Sequence, residues 1–335
     1  MTERKDKMQK VIIDTDPGID DSLALLVALK SPELDVIAIT VVEGNVPTKI
    51  GVQNTLKVLE EVGRTDVPVF EGAHEPLQHE YISAQDTHGL DGLGQSNIAV
   101  PMIEASTISA HSAYNQLLTN HNDVWVLALG PLTNIALAMQ ENPKVWQNMS
   151  RLIIMGGSYL SNGNTSPVAE YNFWVDPNAA DYVLKNSPIV AEIVPLDVTR
   201  KMLLTPNILS LMQRLNPEQS IFITKIIKFY FDFHWQQEHV MGAVINDPLV
   251  IIHALYPEYT RGISKYVTVV TEGVALGQSI VDIADFWKKE ANAVILTEVD
   301  SLHVMAEIIA RLLEISSATI LTELTNIATD LEVLS

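Results

Sequence analysis

Short β-branched runs alternate with helical patterns along most of this chain, and that rhythm restricts the fold more than any other feature. KVIID is followed by DDSLALLVALK, then DVIAITVV, then a helix predicted from about Thr48 to Glu61, then VPVF. Several of these runs are continuously apolar rather than alternating, as expected of strands covered on both faces. Strand, helix, strand in this order is the βαβ unit, which predicts a buried parallel sheet.

The rhythm resumes after a loop-rich stretch near Gln78 to Pro101, with VWVLAL, a helix through Asn134 to Gln140, RLIIMGG and AEIVPL. About six parallel strands are expected. From Pro206 to about Gln237 the pattern turns helical and aromatic, including FYFDFHW, and reads as a helical insertion at about 205–245 flanking a site. A helix in INDPLVIIHAL and strand-like runs at YVTVV and AVILTEV follow; the segment after about Ser316 reads as a docked helix or a tail. With no internal repeat, low-complexity tract or Pro/Ser-rich linker, residues 1–335 are expected to form one α/β domain, an open, mostly parallel sheet flanked by helices.

Charge excludes some partners. Lys and Arg number 21 against 41 Asp and Glu, a formal charge of −20 that repels nucleic acid and anionic membranes. The absence of cysteine removes disulfides, thiolate metal sites and a Cys nucleophile. The apolar run near the start, Val11 to Ile13, is too short for a signal-peptide core, and a cytoplasmic location is the simplest expectation.

The sharpest local signal is D-T-D-P-G-I-D-D, Asp14 to Asp21, directly after the first strand and opening the first helix. Ligands of open α/β sheets sit at such carboxyl ends of strands. Pro17 and Gly18 make a turn that lets Asp16 and Asp20 or Asp21 aim at one spot. Four carboxylates within eight residues repel one another unless a cation intervenes, and oxygen ligands favour a hard ion, calcium or magnesium. Helix capping accounts for one of these aspartates, or two. A calcium EF-hand loop fits poorly, since Gly18 falls one place early and Leu25 stands where a bidentate Glu belongs.

This loop resembles the N-terminal signature of the inosine-uridine preferring nucleoside hydrolases. The resemblance continues through Gly44-Asn45-Val46, H-G-L-D-G-L-G at His88 to Gly94, L-G-P-L-T-N at Leu129 to Asn134 and Met155-Gly156-Gly157. It ends with Asn164, A-E-Y-N at Ala169 to Asn172, Asp176-Pro177 and Asn246-Asp247-Pro248-Leu249. It implies a Rossmann-like core, hydrolysis of the N-glycosidic bond of a ribonucleoside, one calcium ion per chain, and a homo-oligomer, dimer or tetramer. Position by position, it makes Asp16, Asp21 and Asp247 carboxylate ligands of that ion, with a main-chain oxygen from Leu129. Asp16 would also be the general base and Asp14 an orienting group behind it. Asp20, Asn45, Asn164, Glu170 and Asn172 would hold the ribose, with Met155 and Tyr171 beside them.

The departure from the family pattern is Asn246, where many members carry His. An amide can hydrogen-bond a leaving base but cannot protonate it. His88, His234, His239 and Tyr230 are the candidates to replace it, and Tyr230 and His234 lie four apart on one helical face. Each is equally readable as a structural side chain. Two other readings stay open: a metal-stabilised ribose- or nucleoside-binding protein without catalysis, and a ribosyl hydrolase for a modified nucleoside.

Overall fold

The computed structural model describes residues 8–333; the basic start of the chain, MTERKDK, lies outside them. Twelve strands follow in chain order among the described residues: β1 (Gln9–Thr15), β2 (Leu34–Val41), β3 (Val69–Glu71), β4 (Val124–Ala128), β5 (Met149–Met155), β6 (Ala191–Val194), β7 (Leu203–Leu204), β8 (Ala243–Val244), β9 (Thr260–Lys265), β10 (Val267–Val269), β11 (Ser279–Val281) and β12 (Ala293–Val299). Eight form the central sheet in the order β3-β2-β1-β4-β5-β6-β12-β9. All neighbours in it are parallel except β12 and β9.

The sheet therefore has seven parallel strands, one more than the rhythm predicts, because AVILTEV joins it beside β6. YVTVV makes a strand but pairs outside the sheet, in the ribbon β10–β11. Strand β9, TRGISK, has no readable pattern because it is a half-exposed edge. The predicted insertion is present as helices Pro206–Leu215 and Ile221–Glu238, and the antiparallel ribbon β7–β8 closes its two ends together. The segment after Ser316 is a docked helix, Ser317–Val333, with Ile320 and Leu324 buried.

Helices cover both faces of the sheet, so alternate residues of a strand enter two different cores. Val11 and Ile13 face one and Ile12 the other. The first helix, Ile19–Leu29, is buried along all eleven residues. It lies against the sheet on one side and under helices Pro248–Leu255 and Ser301–Leu313 on the other, which explains a sequence apolar all round from Leu23 onward.

This topology fixes where a ligand can sit. The chain moves from β1 outward through β2 and β3, then crosses back to place β4 on the other side of β1. At such a reversal the loops leaving the two neighbouring strands part and open a crevice at their carboxyl ends. The aspartate loop leaves β1 there. Because Leu25 of the first helix is fully buried, Leu25→Ala should lower unfolding free energy by about 2–5 kcal/mol in urea titrations. A loss below about 1 kcal/mol would show that the helix is not held as tightly as described.

Candidate active site at the carboxyl ends of the strands

Asp14 lies in the buried end of β1, and its backbone pairs with Thr40 and Ala128 on the flanking strands. Its Oδ2 accepts hydrogen bonds from the hydroxyl of Thr40, from Asn134 Nδ2 at 3.0 Å and from Tyr114 at 3.3 Å, and its Oδ1 is buried without a partner among the described residues. Asp16 lies buried beneath the crevice, between two glycine turns. Asn45 N–H donates to its Oδ2 at 2.7 Å, and its Oδ1 is buried with no partner. A Cβ on Gly44 would collide with Oδ2 and one on Gly130 would lie 2.5 Å from Oδ1, so only glycine leaves room for this carboxylate.

Asp20 and Asp21 occupy the first turn of the first helix, where the N-terminal dipole favours negative charge. Asp21 is tied down: Thr15 Oγ1 (2.6 Å), Gly18 N (3.1 Å) and Asn45 Nδ2 (2.8 Å) donate to it. Asp20 accepts from Asn246 Nδ2 at 3.0 Å and from Tyr230 at 3.3 Å. Asp247 arrives from the far side, just before helix Pro248–Leu255. Oxygens of Asp20, Asp21 and Asp247 lie within 4.8 Å of one another.

Above them opens a cleft of about 530 Å³. Asn45, Leu129, Met155, Asn164, Glu170, Tyr171 and Asn172 line one part, and His88, Tyr230, Phe233, His234 and Asn246 another. The pattern of matches to known proteins follows this geometry. The family model for inosine-uridine preferring nucleoside hydrolases matches residues 11–306, which includes every residue of the crevice. The chain belongs to that family.

A probable uridine nucleosidase 2 of Arabidopsis thaliana is 35% identical over 91% of this chain and 98% of its own. A pyrimidine-specific ribonucleoside hydrolase of Photobacterium profundum is 35% identical over 87% and 94%. Among solved structures, a plant nucleoside hydrolase superposes with a TM-score of 0.88 at 31% identity, over 92% of this chain and 99% of that one. The chain is an enzyme of the nucleoside hydrolase class.

Within this nucleoside hydrolase the acidic floor is electrostatically crowded. Burial raises the pKa of Asp16, Asp20, Asp21 and Asp247, and mutual repulsion adds to it for Asp16, Asp21 and Asp247. The unpartnered Asp16 Oδ1, the converging carboxylates and an all-oxygen donor set suit a hard divalent cation. The cluster differs from the expected ligand set in one respect, since Asp20 and not Asp16 completes the group of three closest carboxylates. Leu129 O already accepts from Asn172 Nδ2 at 2.6 Å, and its second lone pair is left for an ion.

Several expected residues have part of their bonding capacity committed inside the protein. Glu170 caps helix Tyr171–Val175, taking N–H bonds from Gly157, Asn172 and Phe173, and burial raises its pKa to about 7. Asn164 Oδ1 accepts from Tyr171 N–H, which leaves its amide donors for a ligand. Tyr171 places its hydroxyl between Gly44 O (2.7 Å) and Ile82 O (2.8 Å), sharing one proton between two loops.

The base-side histidines fare differently. Burial lowers the pKa of His88 to about 4, and Ile19 N–H donates to its Nδ1, so the neutral ring carries its proton on Nε2. The 3.9 Å approach of His88 to Asp20 is therefore not an ion pair. His234 gives Nδ1–H to Tyr230 O and accepts Val244 N–H at Nε2, which engages both ring nitrogens with backbone. His239 is exposed at the end of the helix and does not line the cleft. Arg200, Phe233 and Gln237 line it without any signal that motif reading could use.

Protons and a cation compete for this floor. Groups with raised folded-state pKa values, Asp14 and Glu170 to about 7 and Glu43 to about 8, stabilise the metal-free protein fully below their unfolded values and lose that contribution as pH rises through 7 and 8. The melting temperature of chelated protein should fall across that window, and added calcium should raise it by an increment that grows with pH. An increment independent of pH would contradict binding at Asp16, Asp21 and Asp247, whose raised pKa values make them gain affinity for a cation as they lose their protons.

Proposed function

We propose that this enzyme hydrolyses the N-glycosidic bond of ribonucleosides, with uridine among its substrates, using Asp16 as general base and a calcium ion held by Asp16, Asp21, Asp247 and Leu129 O. The observation that carries this reading is the buried, unpartnered Oδ1 of Asp16 beside three converging carboxylates. When bound, the ion would lower the pKa of a water and hold the ribose diol. Uridine is put forward because two relatives are named for uridine or pyrimidine nucleosides.

Water oxygen bonds to the anomeric carbon, the carbon–nitrogen bond breaks with its electrons going to the base, and the water's proton passes to Asp16. Raising the pKa of Asp16 makes it a better proton acceptor once it is ionised. Asn45 N–H fixes the orientation of its carboxylate. Positive charge that develops on the ribose is stabilised by the surrounding carboxylates. Asn172 Oδ1, Asn45 Oδ1 and Asn164 Nδ2 remain for ribose hydroxyls after their internal bonds are counted.

On the base side, Asn246 gives its amide N–H to Asp20, the orientation that an ionised Asp20 requires of the amide. Its Oδ1 is buried and unpartnered, so Asn246 offers the ligand an acceptor, not a proton. His88, neutral with Nε2–H, would donate a hydrogen bond to a leaving pyrimidine carbonyl and spread its negative charge. Tyr230 and His234 serve as walls in this scheme, edge to face at 4.5 Å. A cytoplasmic location and a homo-oligomer, dimer or tetramer, complete the proposal, with all residues in one domain.

Asp16→Asn should leave the melting temperature within a few degrees of wild type and reduce ribose release from uridine by about 10²-fold or more. Near-normal turnover would overturn the base assignment. Asn246→His places a titratable ring against Asp20, so the pH profile or the uridine-to-inosine ratio should change; profiles identical to wild type on both substrates would remove Asn246 from base recognition.

A further inference from the structure

Behind the Gly44 turn lies a polar bridge that the nucleoside hydrolase reading does not use. Glu43, Thr133 and Asp176 are all buried. Thr133 Oγ1 is 2.7 Å from Glu43 Oε1 and 2.8 Å from Asp176 Oδ2. A hydroxyl carries a single proton, so it cannot fully satisfy two ionised carboxylates. The contacts are accounted for when one carboxyl is protonated and donates to Thr133, which in turn donates to the other.

The surroundings decide which carboxyl keeps the proton. Asp176 accepts N–H bonds from Ala179 at 2.9 Å and Leu77 at 2.8 Å and caps helix Pro177–Asn186, all of which favour its anion. Glu43 Oε2 has no partner. The chain is then Glu43 O–H to Thr133 to the Asp176 carboxylate.

We propose that Glu43 is a positioning residue held as a neutral acid, whose bridge through Thr133 to Asp176 fixes the spacing of the Gly44 and Gly130 turns on either side of Asp16. Glu43 immediately precedes Gly44 and Asn45, whose backbone N–H holds Asp16 and whose side chain holds Asp21. Thr133 follows Gly130 by three residues and begins helix Thr133–Glu141. Widening either turn would release the Asp16 carboxylate from its slot. Burial raises the pKa of Glu43 to about 8, opposed by the Thr133 bond and aided by Asp176 and Asp14. The other titratable groups facing the bridge are Tyr81 beside Glu43 and His79 beside Asp176.

This rests on the role given to Asp16, so Asp16→Asn is assayed alongside. Ribose release and thermal melting are measured for Glu43→Gln and Glu43→Ala from about pH 6 to 9. The Gln amide donates to Thr133 as the neutral acid does, so its kcat near pH 6 should stay within about twofold of wild type. It should also lack the wild-type decline that accompanies ionisation of Glu43 near 8. Glu43→Ala should lose about tenfold or more in kcat. Normal kcat in Glu43→Ala, or Glu43→Gln that is as impaired as Ala or that keeps the wild-type alkaline decline, would overturn the proposal. Asp16→Asn at full activity would instead overturn the reading on which it rests.

Discussion

Crowding of negative charge at the end of β1 is the constraint around which this molecule is arranged. Asp16, Asp20, Asp21 and Asp247 are buried together, and their raised pKa values express both lost hydration and repulsion. Such a floor persists because each carboxylate is held by donors or a dipole: Asn45 for Asp16, Asn246 and Tyr230 for Asp20, Thr15, Gly18 and Asn45 for Asp21, and the N-terminus of helix Pro248–Leu255 for Asp247. The proposed cation would supply what those donors leave unbalanced. The parallel sheet makes this possible by bringing four strand ends to one crevice, and the two glycine turns make it fit by yielding space to Asp16.

Two layers of polar contacts emerge from the same strand ends. The front layer faces the cleft and carries the chemistry proposed for the nucleoside. The rear layer, Asp14 with Thr40, Tyr114 and Asn134, and Glu43 with Thr133 and Asp176, faces the protein interior. Asp14 Oδ2 accepts from Thr40, Tyr114 and Asn134, while its Oδ1 is buried without a partner among the described residues. Asn134 joins the rear layer to the loop after β3 by accepting Ala73 N–H.

Much of this was legible in the sequence, for identifiable reasons. Continuous apolar runs marked six strands because parallel strands are buried on both faces; β9 escaped because it is an exposed edge, and AVILTEV was read as a strand without its place in the sheet. Compression of four aspartates into eight residues pointed to the acidic floor, to which Asp16, Asp20 and Asp21 contribute, because capping accounts for two of them at most. Helical spacing put Tyr230 and His234 on one face, and their rings do meet. That both nitrogens of His234 are taken by backbone groups depends on Val244 in a later strand, which no local pattern encodes. Glu43 was passed over because a single carboxylate after a strand looks like any loop residue until Thr133 and Asp176 are seen beside it.

Metal content and activity measured on the same sample test the central claim most directly. Protein dialysed against calcium should hold about one ion per chain by elemental analysis, and release of ribose should fall in step with that content as the ion is chelated away. Full ribose release from chain that retains no divalent metal would contradict the account.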